Sequence, residues 1–212
     1  MINRREKTVI HFQQWLDDKI DKIGKNKIVP KLLIHSCCAP CSSYVMEYLS
    51  NYFSITVFFY NPNIHPKEEY HKRLDELKRL IEQFPVKHKV HFIEGQYEPE
   101  VFLQEVKGLE QEKEGGKRCF KCYYLRLEKA AEKARALKFL YFTTTLTISP
   151  HKNARILNQI GSEIANKRQL IYLFSDFKKK GGFKRSVILS TQYHLYRQHY
   201  CGCIFSKKNN RV

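Results

Sequence analysis

Apolar positions along this chain alternate between two rhythms. Ile10, Trp15, Leu16, Ile20 and Ile23 fall at helical spacing, and Gly24 ends the run. That predicts an N-terminal helix over 7–23, then a short basic link to Pro30. KLLIHS (31–36) has the compact apolar character of a buried strand, and CSSYVMEYLS (41–50) returns to helical spacing through Tyr44, Val45, Tyr48 and Leu49. SITVFFY (54–60), dense in β-branched and aromatic side chains, predicts a second strand. NPNIHP breaks the chain, and Tyr70, Leu74, Leu77, Ile81 and Phe84 then mark an amphipathic helix from Glu68 to Phe84. KVHFIEG (89–95) predicts a third strand, Pro99 to Val106 a short helix, and KEGGKRCFKC (113–122) a glycine-containing loop. A stripe of Leu127, Ala130, Ala131, Ala134 and Leu137 predicts a helix over 122–138. FLYFTTT (139–145), NARILNQIGSEIANK (153–167) and LIYLF (170–174) read as strand, helix and strand, and a last helix is expected from Ser186 to about Gln198.

Strands alternating with helices predict an α/β fold: an open, mostly parallel sheet with helices on both faces. No internal repeat, low-complexity tract or linker interrupts 31–212. The expected division is an N-terminal helical extension over 1–30 and a single α/β catalytic domain over 31–212. Ligands of such sheets bind beyond the carboxyl ends of the strands, near a topological switch point. HSCCAPC leaves the first strand there and TTTLTISPHKN leaves the fourth, so the two segments are expected to line one cleft.

Composition narrows the picture. Over 212 residues, 42% hydrophobic and 13% aromatic side chains are enough for a real core. No apolar run approaches the eighteen or so residues of a membrane span. The first fifteen residues show neither an apolar h-region nor a small-residue cleavage site, so no signal peptide, no membrane and a cytoplasmic location are expected. Thiols stay reduced there, and seven cysteines are then read as metal-binding or redox-active before they are read as staples. A net charge of +17 makes a polyanionic partner, RNA or DNA, a serious candidate.

The cysteines fall in three clusters: Cys37 and Cys38 with Cys41, Cys119 with Cys122, and Cys201 with Cys203. Adjacent cysteines can hold two corners of one polynuclear cluster, and a C-x-x-C pair presents two sulfurs from one turn. Helix N-termini following both segments favour thiolate over thiol. Two assignments stand open. Cys119, Cys122, Cys201 and Cys203 would make a Cys₄ zinc centre, the basis of a zinc-stabilised, non-catalytic RNA-binding module. Iron–sulfur ligation by Cys37, Cys38, Cys119 and Cys122 instead uses the best-placed loop and leaves C-G-C to another task. There Gly202 gives the backbone freedom for a strained, easily reduced bridge, so Cys201 and Cys203 are candidates for a dithiol–disulfide couple. A thiol–disulfide oxidoreductase acting on proteins is a third possibility. SDFKKKGGFKRS offers a glycine-flexed basic loop in which Lys178, Lys179, Lys180, Lys184 and Arg185 would grip phosphates and Asp176 would ligate a metal or position a hydroxyl. No Walker A or S-G-G-x-D-S pattern occurs.

HSCCAPCS, FFYNPNIHPKEEYHKRL, RCFKCYYLRL, YFTTTLTISPHKN, SDFKKKGGFKRS and YRQHYCGC together resemble the QueH-type epoxyqueuosine reductases over almost the whole chain after Pro30. The resemblance implies a Rossmann-like fold of the nucleotide-hydrolase kind. It also implies the last step of queuosine formation at the wobble position of tRNA anticodons, where an epoxide is reduced to an alkene. A [4Fe–4S] cluster is implied at Cys37, Cys38, Cys119 and Cys122, with Cys201 and Cys203 as the redox-active pair. Cys41 and Asp176 are candidates for one additional iron. The implied partners are tRNA carrying epoxyqueuosine and an electron donor. His35, His65, His151 and Tyr200 are candidate proton donors.

Overall fold

The computed structural model describes residues 11–25 and 29–209. In chain order it comprises α1 (Phe12–Gly24), β1 (Lys31–Ser36), α2 (Ala39–Leu49), β2 (Ser54–Phe59), α3 (Lys67–Gln83), β3 (His91–Glu94) and α4 (Pro99–Glu105). There follow α5 (Lys117–Ala136), β4 (Tyr141–Thr144), a 3-10 turn (Thr145–Ile148), α6 (Ala154–Arg168), β5 (Ile171–Tyr172), α7 (Gly182–Gln192) and α8 (Ile204–Asn209). Residues 7–10 of the first expected helix lie outside the described residues.

The five strands form one parallel sheet in the order β3-β2-β1-β4-β5. This is the Rossmann-like α/β architecture. β1 is central: Ile34 faces Val57 of β2 on one side and Thr143 of β4 on the other. The chain builds outward from β1 to β3, then returns to the far side of β1 to start β4. The gap beyond the ends of β1 and β4 is therefore the switch point, where connections diverge and leave room for a ligand.

Apolar runs without alternation suit strands buried on both faces, and β1 and β2 divide their side chains between two cores. Leu32, Ile34, Ile55, Val57 and Phe59 join one core with α1, α2 and α3. Leu33 and Phe58 join the other, against Tyr123, Leu127, Ala130, Ala131 and Ala134 of α5 and Leu157 and Ile164 of α6. The alanines let α5 lie close to the sheet. Leu16, Ile20 and Ile23 of α1 are buried in the first core.

Four segments depart from the sequence reading, and in each a tertiary interaction or a cap outweighs local pattern. The expected loop at 113–122 is helical from Lys117, because Gly116 serves as the N-cap. β5 contains only Ile171 and Tyr172, since Asn158 captures the backbone N–H and C=O of Ser175 (2.9 and 2.8 Å) and draws the chain off the sheet. The last large helix runs from Gly182 to Gln192 and stops well before Gln198. Beyond it Arg79 donates to the Tyr193 carbonyl (3.0 Å), and Glu76 accepts from the Tyr196 N–H (2.8 Å). Finally, α8 follows the C-G-C segment and had no counterpart in the apolar pattern. No described helix is long and apolar enough to cross a membrane.

Candidate metal and redox site

A cavity of about 590 Å³ opens at the switch point. Cys37 lines it from the β1–α2 turn and Cys41 from the first turn of α2, Leu146 and Ser149–Lys152 from the segment after β4, and Tyr200 and Cys201 from the C-terminal run. The two loops expected to share a cleft do share it.

Local chemistry shapes the first wall. Cys38 is the extended N-cap of α2, and Pro40 sits in the first turn, where no backbone N–H is needed. Ser42 donates to the Cys38 carbonyl (2.9 Å), and Asn61 donates to the Ser36 carbonyl (2.9 Å). This tight turn brings the sulfurs of Cys37, Cys38 and Cys41 within 4.8 Å of one another, a group that could hold a metal ion. Cys37 and Cys38 sulfurs lie 3.6 Å apart. Hydrogen bonds from the Cys38 and Cys41 thiols hold Cys37 well below the ordinary thiol range, with Arg126 and Lys152 adding to the effect against burial. Sharing that proton pushes Cys38 up to about 12, and Cys41 rises for the same reason.

The second wall comes from α5. Cys119 accepts a hydrogen bond from the Gly115 N–H (3.2 Å) at the start of the helix, and Cys122 lies one turn on. Cys122 and Cys203 pack in one small apolar cluster with Phe102 and Val106. Burial pushes Cys122 up to about 12 and Cys203 up to about 11, and it raises Cys119 as well. All seven thiols are free. Among the described residues, Cys119, Cys122, Cys201 and Cys203 stand outside this group and form no single-ion group of three or more of their own.

Cys201 and Gly202 are pinned by α3 and by the segment just before it. The buried Arg73 donates to the Cys201 carbonyl (3.1 Å), and the Gly202 carbonyl accepts from the His65 N–H (2.8 Å). Gly202 has φ +102°, and a Cβ there would stand 2.9 Å from Arg73 Nη1. Glycine is the residue this crossing tolerates.

Other predicted residues fall differently. Asp176 accepts from Lys178 (2.6 Å) and is outside the thiol group. Lys180 pairs with Asp17 of α1 and Arg185 with Glu47 of α2, while Lys179 and Lys184 are exposed without an ion pair among the described residues. His151 and Tyr200 line the cavity, whereas His65 is exposed beside it. His35 is corrected as a proton donor. It is fully buried between Thr144 (2.9 Å) and the Tyr60 carbonyl (3.1 Å), and burial with the Arg126 charge lowers it to about 3, so it is neutral. Sequence reasoning missed Arg126 and Lys152, which bring positive charge to the thiols. The Cys122–Arg126 spacing, four residues on one helix face, is the signal that could have found Arg126.

Would these residues suit a metal–thiolate group? Three thiols stand within ligating range, two more lie at the start of α5, and two cations with no carboxylate partner among the described residues accompany them. A soft, anionic group fits this donor set.

The fold and the site define a class: Rossmann-like α/β proteins whose switch-point cleft is equipped with thiols in place of a phosphate-binding loop. Residues 32–209 match the sequence profile of the epoxyqueuosine reductase QueH family, and the chain belongs to that family. It is 46% identical over 210 residues to the protein named epoxyqueuosine reductase QueH of Streptococcus pyogenes serotype M1, covering 98% of this chain and 82% of the relative. The Staphylococcus epidermidis protein of the same name is 44% identical over 93% of this chain and 84% of its own. That of Thermotoga maritima is 37% identical over 85% and 92%.

Proposed function

We propose that this chain is an oxidoreductase that reduces epoxyqueuosine to queuosine in tRNA, at the wobble position of the anticodon, in the cytoplasm. The observation that carries the reading is the cavity in which Cys37, Cys41 and Cys201 meet at the carboxyl edge of a parallel sheet, in a member of this family. The overall step breaks both epoxide C–O bonds, forms an alkene and releases the oxygen as water, consuming two electrons and two protons.

A [4Fe–4S] cluster held by Cys37, Cys38, Cys119 and Cys122 would supply electrons one at a time. The Cys201–Cys203 dithiol, in becoming a disulfide, releases two electrons and two protons, which balances the reduction. An external electron donor then restores the dithiol. Cys41 is the candidate for one additional iron, and Asp176 joins it only by exchanging Lys178 for the metal. His151 and Tyr200 face the substrate space and are the candidates to deliver a proton to the departing oxygen.

The test is anaerobic incubation of the iron- and sulfide-loaded protein with epoxyqueuosine tRNA and a reductant, followed by nucleoside mass analysis. The expected product is lighter by one oxygen, and Cys38→Ala is expected to abolish its formation. Unchanged nucleoside mass with loaded wild-type protein would overturn the activity; full turnover by Cys38→Ala would overturn the site.

A further inference from the structure

Arg126 is 2% exposed and spans the floor of the thiol site. Its guanidinium meets three neutral groups: Nε lies 3.3 Å from His35 Nε2, Nη2 donates to Asn61 Oδ1, and Nη1 points at the Cys122 sulfur (3.9 Å). Lys152 lines the same cavity as Cys37, Cys41 and Cys201. Neither cation has a carboxylate within ion-pair distance among the described residues, although Glu114 lies exposed on the cavity lining. Of the other two arginines buried as deeply, Arg73 pairs with Glu69, and Arg118 is held by the backbone carbonyls of Leu109, Glu110 and Glu112 beside Cys119. A buried guanidinium without a counter-charge costs several kcal/mol, and Arg126 has neither a carboxylate nor such a set of carbonyls around it among the described residues. The atoms placed to be its counter-charge are sulfurs.

We infer that Arg126 and Lys152 are the built-in counter-charge of a metal–thiolate cluster at this site, and that they set how readily the cluster accepts an electron. The inference rests on the iron–sulfur reading above. Thiolate ligands outweigh the positive charge of an iron–sulfur core, and reduction adds a further negative charge in a poorly solvated place. Fixed cations and hydrogen bonds to the ligand sulfurs stabilise the reduced form and raise the potential. Arginine suits the floor because its planar fork engages His35, Asn61 and Cys122 together, which a lysine cannot do. Both are positioning residues, since they act through the cluster.

The experiment is an EPR-monitored redox titration of anaerobically reconstituted protein. Lys152→Met and Arg126→Met are compared with Lys152→Arg and with Lys129→Met, a half-buried lysine farther along α5 that faces Glu132. The expected result is a shift to more negative potential in both methionine variants, larger for Arg126→Met. Lys152→Arg should restore the wild-type value, and Lys129→Met should leave it unmoved. A wild-type potential in iron-loaded Lys152→Met, or an equal shift in Lys129→Met, overturns the counter-charge while leaving the cluster standing. Wild-type protein that takes up no iron and sulfide overturns the cluster reading and this inference together. If Arg126→Met does not fold, Lys152→Met decides.

Discussion

Arg73 and Gly202 show how much of the site depends on single residues that carry no chemistry themselves. Arg73 bridges Glu69 on its own helix to the carbonyls of Tyr200 and Cys201. Gly202 allows that approach because its φ of +102° and its missing Cβ leave room for the guanidinium. Gly202→Ala is therefore expected to destabilise the protein by roughly 1–3 kcal/mol through backbone strain and displacement of Arg73. Chemical denaturation would measure that cost. Epoxide reduction should fall with it, since Cys201 loses its fixed place on the cavity lining. The thiols themselves were legible in the sequence, because adjacent and near-adjacent cysteines are unusual in any other role. Arg73 and Lys152 were not, because a buried functional cation and a solvated one read alike in a chain with 38 lysines and arginines, and Arg126 was marked only by its spacing from Cys122.

At the level of elements, helical and strand periods located the sheet and most of its helices, and they erred where caps and contacts decide boundaries. The start of α5 matters most. Gly116 begins the helix early enough that Cys119, Cys122 and Arg126 project from successive turns. The α6–β5 packing illustrates the same dependence on small residues. A Cβ on Gly161 would stand 2.4 Å from the Tyr172 ring, so the helix can lie on the short edge strand only with glycine there. Gly161→Ala should overpack this contact and cost about 1–3 kcal/mol in a denaturant titration. The iron content and redox potential of loaded protein should stay at wild-type values, because the change lies away from the thiol-lined cavity.

For the whole molecule, the charge of +17 favours a polyanionic partner, and the basic segment from Lys178 to Arg185 shows which cations are free to meet one. Lys178, Lys180 and Arg185 are engaged by Asp176, Asp17 and Glu47, which orders the basic segment against α1 and α2. Lys179 and Lys184 remain exposed and are the better candidates for binding phosphate. Replacing both by alanine should weaken tRNA binding at low salt. It should also flatten the dependence of log affinity on log salt by about 0.7–0.9 for each phosphate that is no longer neutralised. Filter binding across a salt series would measure both. Lys178→Ala should act differently, by releasing the Asp176 carboxylate.

The sequence by itself determined the alternation of strand and helix, the two loops that meet at the switch point and the cysteines set in one of them. These follow from local periodicity and from residue types with few alternative uses. Tertiary structure decided which groups stand together. It gathered Cys37, Cys38 and Cys41, brought Cys201 to the cavity through Arg73, and set Arg126 and Lys152 beside them without carboxylate partners among the described residues. The physical reason is range: backbone preference acts over a few residues, whereas burial, ion pairing and the charge of a cleft depend on segments far apart in the chain.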